Sequence, residues 1–255
     1  MPIYPVQDKQ SIAPLFDGWN ETMIFSCLQD VMGVAYADSL ITPTAAQISL
    51  GDFCFFAGAA NEELLRHQPE NLHSNFAVLV PQNSKWEAAI ERCYGDRVTR
   101  FMRYATKKDP SAFDKAKLQG IVSALAPPYE LRLIDRALYE EIMSLDWARD
   151  LCINYANYDD YHLHGLGVAV LKHGAVVSGA SSYTSYRGGI EIEIDTRRDE
   201  RRKGLASACG AALILECLKR DWYPSWDAQN KGSLALAERL GYQFDKEYPV
   251  YEIEF

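Results

Sequence analysis

Residues 190–220 restrict the fold more than any other stretch of the chain. Ile190, Ile192 and Ile194 alternate with Glu191, Glu193 and Asp195. A period of two puts the isoleucines on one face of a strand and the acids on the other. The polar run from Thr196 to Lys203 ends the strand. Gly204 and Ala206 then open a helix rich in Ala, Leu and Cys that runs to about Arg220. Strand, turn and helix in this order suit a layered α/β architecture.

The turn between them has the physics of an anion site. The first N–H groups of a helix have no intrahelical partner, and the helix dipole favours negative charge there. Gly204 and Ala206 carry little or no side chain, so a phosphate can approach the backbone. Arg201, Arg202 and Lys203 place positive charge at the same point. An ordinary strand-to-helix turn with a solvated basic face is the competing reading of the same residues.

The rest of the composition narrows the function class. With 255 residues and 48% hydrophobic content, the chain can bury a sizeable core as one large or two small domains. Its formal net charge of -9 excludes bulk binding to nucleic acid or anionic membrane, so the basic cluster is local. No apolar window is long enough to span a bilayer, and the N-terminus lacks signal-peptide organisation. Cys27, Cys54, Cys93, Cys152, Cys209 and Cys217 show no paired spacing and mostly lie among apolar residues. They read as reduced, buried thiols of a cytoplasmic protein.

Along the chain, residues 15–32 pattern as an amphipathic helix. Strands are expected at 34–37, 46–56, 76–80 and 97–104, and helices at 62–67, 86–93 and 113–125. Pro127 and Pro128 mark a linker, which divides the chain into 1–125 and 126–255. Beyond it come a strand at 129–134, helices within 136–155, a polar aromatic loop at 157–161 and a hairpin around His173 and Gly174. Ser178, Ser181, Ser182, Thr184 and Ser185 make the second hairpin strand rich in hydroxyls. His162 and His164 alternate, but no third ligand is close, so no metal is expected. Asp159 and Asp160 either attract an ammonium group or belong to a solvated loop. A last helix at 232–240 stops at Gly241, and an alternating strand with Tyr248 and Tyr251 closes the chain.

Arg201, Gly204 and Ala206 match the Arg/Gln-x-x-Gly-x-Gly/Ala signature of the GNAT superfamily of acetyl-CoA-dependent N-acetyltransferases. About two dozen residues on, Trp226, Asp227, Ala228, Asn230, Ser233, Leu240, Gly241 and Tyr242 resemble its second block, most closely in the zwittermicin-resistance branch. The resemblance is good over 128–255 and poor before it. It implies an α/β fold in which 126–255 form a mixed sheet flanked by helices. The smaller α/β unit at 1–125 is then either a degenerate cousin of that fold, without the phosphate turn, or a cap over the substrate side.

The same resemblance implies acetyl transfer from acetyl-CoA, as co-substrate, to a small-molecule amine, compatible with a homodimer. Backbone N–H groups of Arg201, Arg202, Lys203, Gly204, Leu205 and Ala206 would hold the pyrophosphate. Ile194 and Thr196 would pair with the pantetheine arm, and Asn230 and Ser233 would touch the cofactor's other side. Asn230 and Ser233 also suit plain helix capping. Glu191 and Glu193 share the acidic strand face and are the general-base candidates. Many family members carry a Tyr seven residues after the Asn as general acid. Here that position is Ala237, which leaves Tyr248 and Tyr251 as the nearest candidates. Glu200 stands where an aromatic often precedes the signature Arg. A non-catalytic acetyl-CoA-binding or sensor module is the alternative.

Overall fold

The computed structural model describes residues 2–255. The chain forms two units, one of residues up to Arg103 joined by Glu247–Phe255, the other of Tyr104–Lys246.

The first unit contains β1 (Tyr4–Pro5), α1 (Thr22–Leu28), β2 (Val34–Ala37), β3 (Ala45–Leu50), β4 (Phe53–Gly58), α2 (Glu62–Arg66), β5 (Phe76–Pro81), α3 (Ser84–Tyr94) and most of β6 (Val98–Thr106). β2, β3 and β4 form an antiparallel meander, and β4 then pairs in parallel with β5. The expected single strand over 46–56 is therefore two, because the turn at Gly51 (φ 56°) reverses the chain. The expected helix over 15–32 is only α1, preceded by short 3-10 turns at Lys9–Ser11 and Ala13–Phe16.

The second unit contains α4 (Lys115–Ser123), β7 (Tyr129–Leu133), α5 (Arg136–Ser144), α6 (Tyr158–His164), β8 (Gly167–Lys172), β9 (Ala175–Tyr186), β10 (Gly189–Thr196), α7 (Leu205–Leu218), β11 (Tyr223–Ser225), β12 (Asp227–Ala228), α8 (Lys231–Leu240) and the start of β13 (Phe244–Glu254). Its sheet has the order β11-β10-β9-β8-β7. The β8–β9 hairpin turns on His173 and Gly174, both with positive φ, as a tight two-residue hairpin requires. The segment at 157–161, expected to be a loop, opens α6, because the Asn157 side chain caps the N–H groups of Asp159 and Asp160.

Helix α7 is the centre of this unit. It is apolar nearly all round, and a helix of that kind must be covered on every side. It packs on β8, β9 and β10 and against α4 and α8. Leu205, Cys209, Leu213, Ile214 and Cys217 are buried together with Val168, Val170, Ile190 and Ile192. Each such large side chain contributes ~1.5–3 kcal/mol. Gly210 lets α8 approach, since a Cβ there would sit 2.7 Å from Leu240 Cδ1.

The two units repeat one path. Each has an antiparallel three-strand meander, a helix, a strand parallel to the last of the three, a second helix and a long terminal strand. The terminal strands are exchanged. In the first unit the strand beside β5 is β13, with Tyr251 opposite Leu79 and Ile253 opposite Ala77. The end of β6 in turn pairs with β12 in the second unit, Ala105 opposite Asp227. This exchange places the division at 103/104 and 246/247 instead of 125/126. Residues 113–125 group with the second unit because Phe113 and Leu118 are buried in the α7 core. The segment around Pro127 and Pro128 connects α4 to β7 inside that unit.

Candidate active site

Strand β10 pairs with β9 along its whole length, Gly189 to Thr196, but with β11 only from Gly189 to Glu191. Beyond Glu191 the two parallel strands part. The β11-facing edge of residues 192–196 is left without that ladder, and β10 leads directly into the basic turn. Ile194 leans on the α7 core. The Thr196 hydroxyl meets Ser178 Oγ at 2.7 Å, which anchors the strand end.

The turn itself is held open. Arg202 and Gly204 both adopt positive φ, 64° and 82°. Alternating left-handed residues turn successive N–H groups to one side, the geometry of an anion nest. A Cβ placed on Gly204 would meet nothing within 4 Å, so the space before the helix is clear. Gly204 stands at the N-cap of α7 with no side-chain cap and no acid in the first turn. Every other α-helix among the described residues is capped by its own Glu, Asn or Asp side chain. The corresponding helix of the first unit, α2, is capped by Asn61 and carries Glu62 and Glu63 in its first turn, which repel an anion. The donor set at α7 fits a pyrophosphate.

The basic side chains are partly committed. Arg201 Nε donates to Thr196 O at 3.1 Å and closes the turn. Lys203 Nζ lies 2.7 Å from Glu200 Oε2. Glu200, 2% exposed, also receives Lys172 Nζ at 2.7 Å and the Tyr129 hydroxyl at 2.7 Å. These bonds, Lys172 first, hold its carboxyl down at about 2. The acid that replaces the usual aromatic thus ties β7, β8 and the turn together. Arg202 is exposed at the turn, Leu205 is buried in the core and Ala206 is half-buried.

The acids of β10 are graded in burial. Glu191 is 4% exposed and accepts the Asp227 N–H at 2.7 Å, whereas Glu193 and Asp195 are half-buried. Burial, and after it the nearby Asp150, push the Asp195 carboxyl up to about 6, with Arg201 opposing. Asp195 was not among the candidates expected from sequence, although its place on the acidic face was visible.

The remaining expected site residues have structural partners. Asn230 Oδ1 accepts from the N–H groups of Gly232 and Ser233, so its side chain is the α8 cap. Ser233 Oγ accepts the Trp226 indole N–H at 3.1 Å. Tyr251 is 1% exposed in the first unit's core and its hydroxyl donates to Glu91, so it is a core residue there. Tyr248 belongs to the same returning segment. Asp159 is ion-paired with Arg136, and Asp160 accepts the Ala156 N–H at 2.9 Å. Burial raises the thiols of Cys27, Cys54, Cys152, Cys209 and Cys217 to about 12. Among the described residues no group of three or more metal-binding side chains converges, and no helix is long and apolar enough to cross a membrane.

The family model for GNAT acetyltransferases matches residues 13–251. The chain belongs to the GNAT acetyltransferase family. A crystal structure of a GCN5-related N-acetyltransferase-like protein from Streptococcus suis is 47% identical, covers 96% of this chain and 98% of that one, and superposes with a TM-score of 0.91. The uncharacterized N-acetyltransferase YdfB of Bacillus subtilis is 27% identical over 261 residues, 94% of each chain. A tandem GNAT protein from the clavulanic acid biosynthesis pathway shares the fold at 12% identity, with a TM-score of 0.56 over 99% of this chain. The GNAT model spans the first unit as well as the second, beyond the 128–255 over which the motifs are legible. This GNAT protein is accordingly an acetyltransferase.

Proposed function

We propose that the chain transfers the acetyl group of acetyl-CoA to the amine of a small molecule by direct attack on the thioester. The observation that carries the reading is the uncapped N-terminus of α7, set just after β10 parts from β11. Backbone N–H groups of residues 201–206 hold the pyrophosphate. The β10 edge at Ile194 and Thr196 pairs with the pantetheine arm, as a strand edge pairs with an extended chain.

An amine arrives protonated near neutral pH, so a base must accept a proton. Glu193, half-buried beyond the end of the ladder, and Glu191, buried behind it on the same face, are the carboxylates for this step. The departing thiolate has a conjugate acid with pKa of about 8.5, by analogy with Cys, and needs only mild protonation. Ala237 therefore does not disable the reaction. The Tyr223 and Tyr242 hydroxyls are occupied, donating to Lys107 O and Pro224 O. The likeness to zwittermicin-resistance acetyltransferases supports a natural-product or drug-like amine as acceptor, in the cytoplasm.

A thermal melt with acetyl-CoA tests the cofactor half. Ligand at a hundred times its dissociation constant stabilises by about 2.7 kcal/mol, an upward shift that Gly204→Glu is expected to abolish. No shift in folded wild type would remove the proposal. Acetyl transfer to a panel of amines tests the other half, and loss of the base carboxylate, in Glu191→Gln or in Glu193→Gln, should lower kcat by about 10²–10⁴. Acetyl-CoA binding without transfer to any amine would favour the sensor alternative.

A further inference from the structure

A row of three polar side chains crosses the second sheet where the β10–β11 ladder ends. Thr184 of β9 and Ser225 of β11 stand directly opposite Glu191 of β10, one on each side. Residues opposite one another share a face of the sheet, and the register between β10 and β9 shifts just past this row, between Glu191 and Ile192. All three are buried, at 0%, 1% and 4% exposure for Thr184, Ser225 and Glu191. Thr184 Oγ1 and Ser225 Oγ have no hydrogen-bond partner in the protein.

Buried hydroxyls are normally paired, and an unpaired one is costly where an alanine or valine would fill the same space. Elsewhere on β9 the rule is kept. The Tyr155 hydroxyl reaches Ser182 Oγ at 2.6 Å and Ser185 Oγ at 2.7 Å, and Tyr161 reaches Ser181 Oγ at 2.9 Å. The exceptions flank one carboxylate on both sides. Other groups near Glu191 do not account for them. Asp227 gives its N–H to Glu191, and the phenols of Tyr223 and Tyr242, which feel the Glu191 charge, donate to backbone carbonyls.

We propose that Thr184 and Ser225 are positioning residues for Glu191: their hydroxyls hold a water molecule against its carboxylate, and this water carries the acceptor's proton to Glu191. Two hydroxyls and a carboxylate give a buried water three polar partners, the usual number. Each hydroxyl both donates and accepts, so the row passes a proton without opening to solvent. The inference rests on the acetyl-transfer reading. The acceptor ammonium first gives one proton to bulk solvent; as the neutral nitrogen then bonds to the thioester carbon and the carbon–sulfur bond breaks, its next proton passes to the water. The water gives one of its own protons to Glu191. The carboxylic acid then returns that proton through the same water to the thiolate, leaving amide and thiol.

Thr184→Val and Ser225→Ala remove each hydroxyl and keep most of the shape. Both are made in the full chain, with Glu191→Gln to assign the Glu191 carboxyl band in infrared difference spectra. The proposal expects melting at or above wild type and a Glu191 titration moved to higher pH, because the ionised form has lost hydrogen bonds. It also expects kcat at least about tenfold lower, with the acidic limb of its pH profile moved the same way, and an unchanged KM for acetyl-CoA. Thr184→Ser retains the hydroxyl and should keep both wild-type values. Wild-type Glu191 titration and kcat in Thr184→Val and Ser225→Ala would overturn the proposal, with the hydroxyls shown idle. A shifted titration in the two variants, together with a wild type that acetylates no amine, would leave the water site standing and remove the transferase reading instead.

Discussion

Asp195 sits in an environment that its sequence position does not announce. Its carboxyl is pushed up to about 6, by burial first and by Asp150 second. An acid that is more readily protonated folded than unfolded makes the native state bind more protons between about pH 4 and 6, so stability falls as pH rises through that window. Above it the penalty is complete. Solvent still reaches the half-buried group, which limits the penalty. Asp195→Asn is expected to raise the melting temperature at pH 7 and to flatten the stability curve between pH 4 and 6, read by thermal melts across pH. Glu200 is the opposite case, held ionised to about 2 by Lys172, Lys203 and Tyr129. Both acids are plain in the sequence. Their opposite fates are not, because each depends on neighbours from other elements, Asp150 for one, and Tyr129 and Lys172 for the other.

Among elements, the helix N-termini divide by chemistry. Asn230 caps α8 with Oδ1 on two backbone N–H groups, whereas Gly204 leaves α7 open. Sequence alone could not separate capping from ligand contact for Asn230. The observed cap makes a definite prediction. Asn230→Ala should lower stability by ~1 kcal/mol while the acetyl-CoA dissociation constant changes less than about twofold, measured by calorimetry. A large loss of affinity would give the side chain a ligand role as well. The signature strand and its turn were readable because period-two alternation and a glycine before an apolar helix are local signals. Helix α6 carries no clear local signature because its first turn is polar and aromatic; the Asn157 cap, the Arg136–Asp159 ion pair and the burial of Tyr161 among Tyr139, Tyr155 and Tyr158 hold it.

At the scale of the whole molecule, the exchanged terminal strands dominate. Residues 247–255 supply the strand beside β5, and Tyr251 and Ile253 are buried with Trp86, Leu79 and Phe56. Truncation after Lys246 should therefore destabilise the first unit, seen as loss of amide protection at Ala77 to Leu79 by hydrogen exchange. Full protection in the truncated chain would refute the exchange. Element order is all that the sequence offers for the repeat of one path in both units, because the two halves share no motif. In the first unit the Asn61 cap and the acids after it stand where the second unit has its open turn. Sequence by itself determined the signature strand, the basic glycine turn, the buried helix behind it and the family, since each is written in neighbouring residues. The tertiary structure decided where the units divide, which acid is buried, that Lys172 is spent on Glu200 and which hydroxyls flank Glu191. Each of these depends on partners far apart in the chain, and no local pattern encodes which strand will lie beside which.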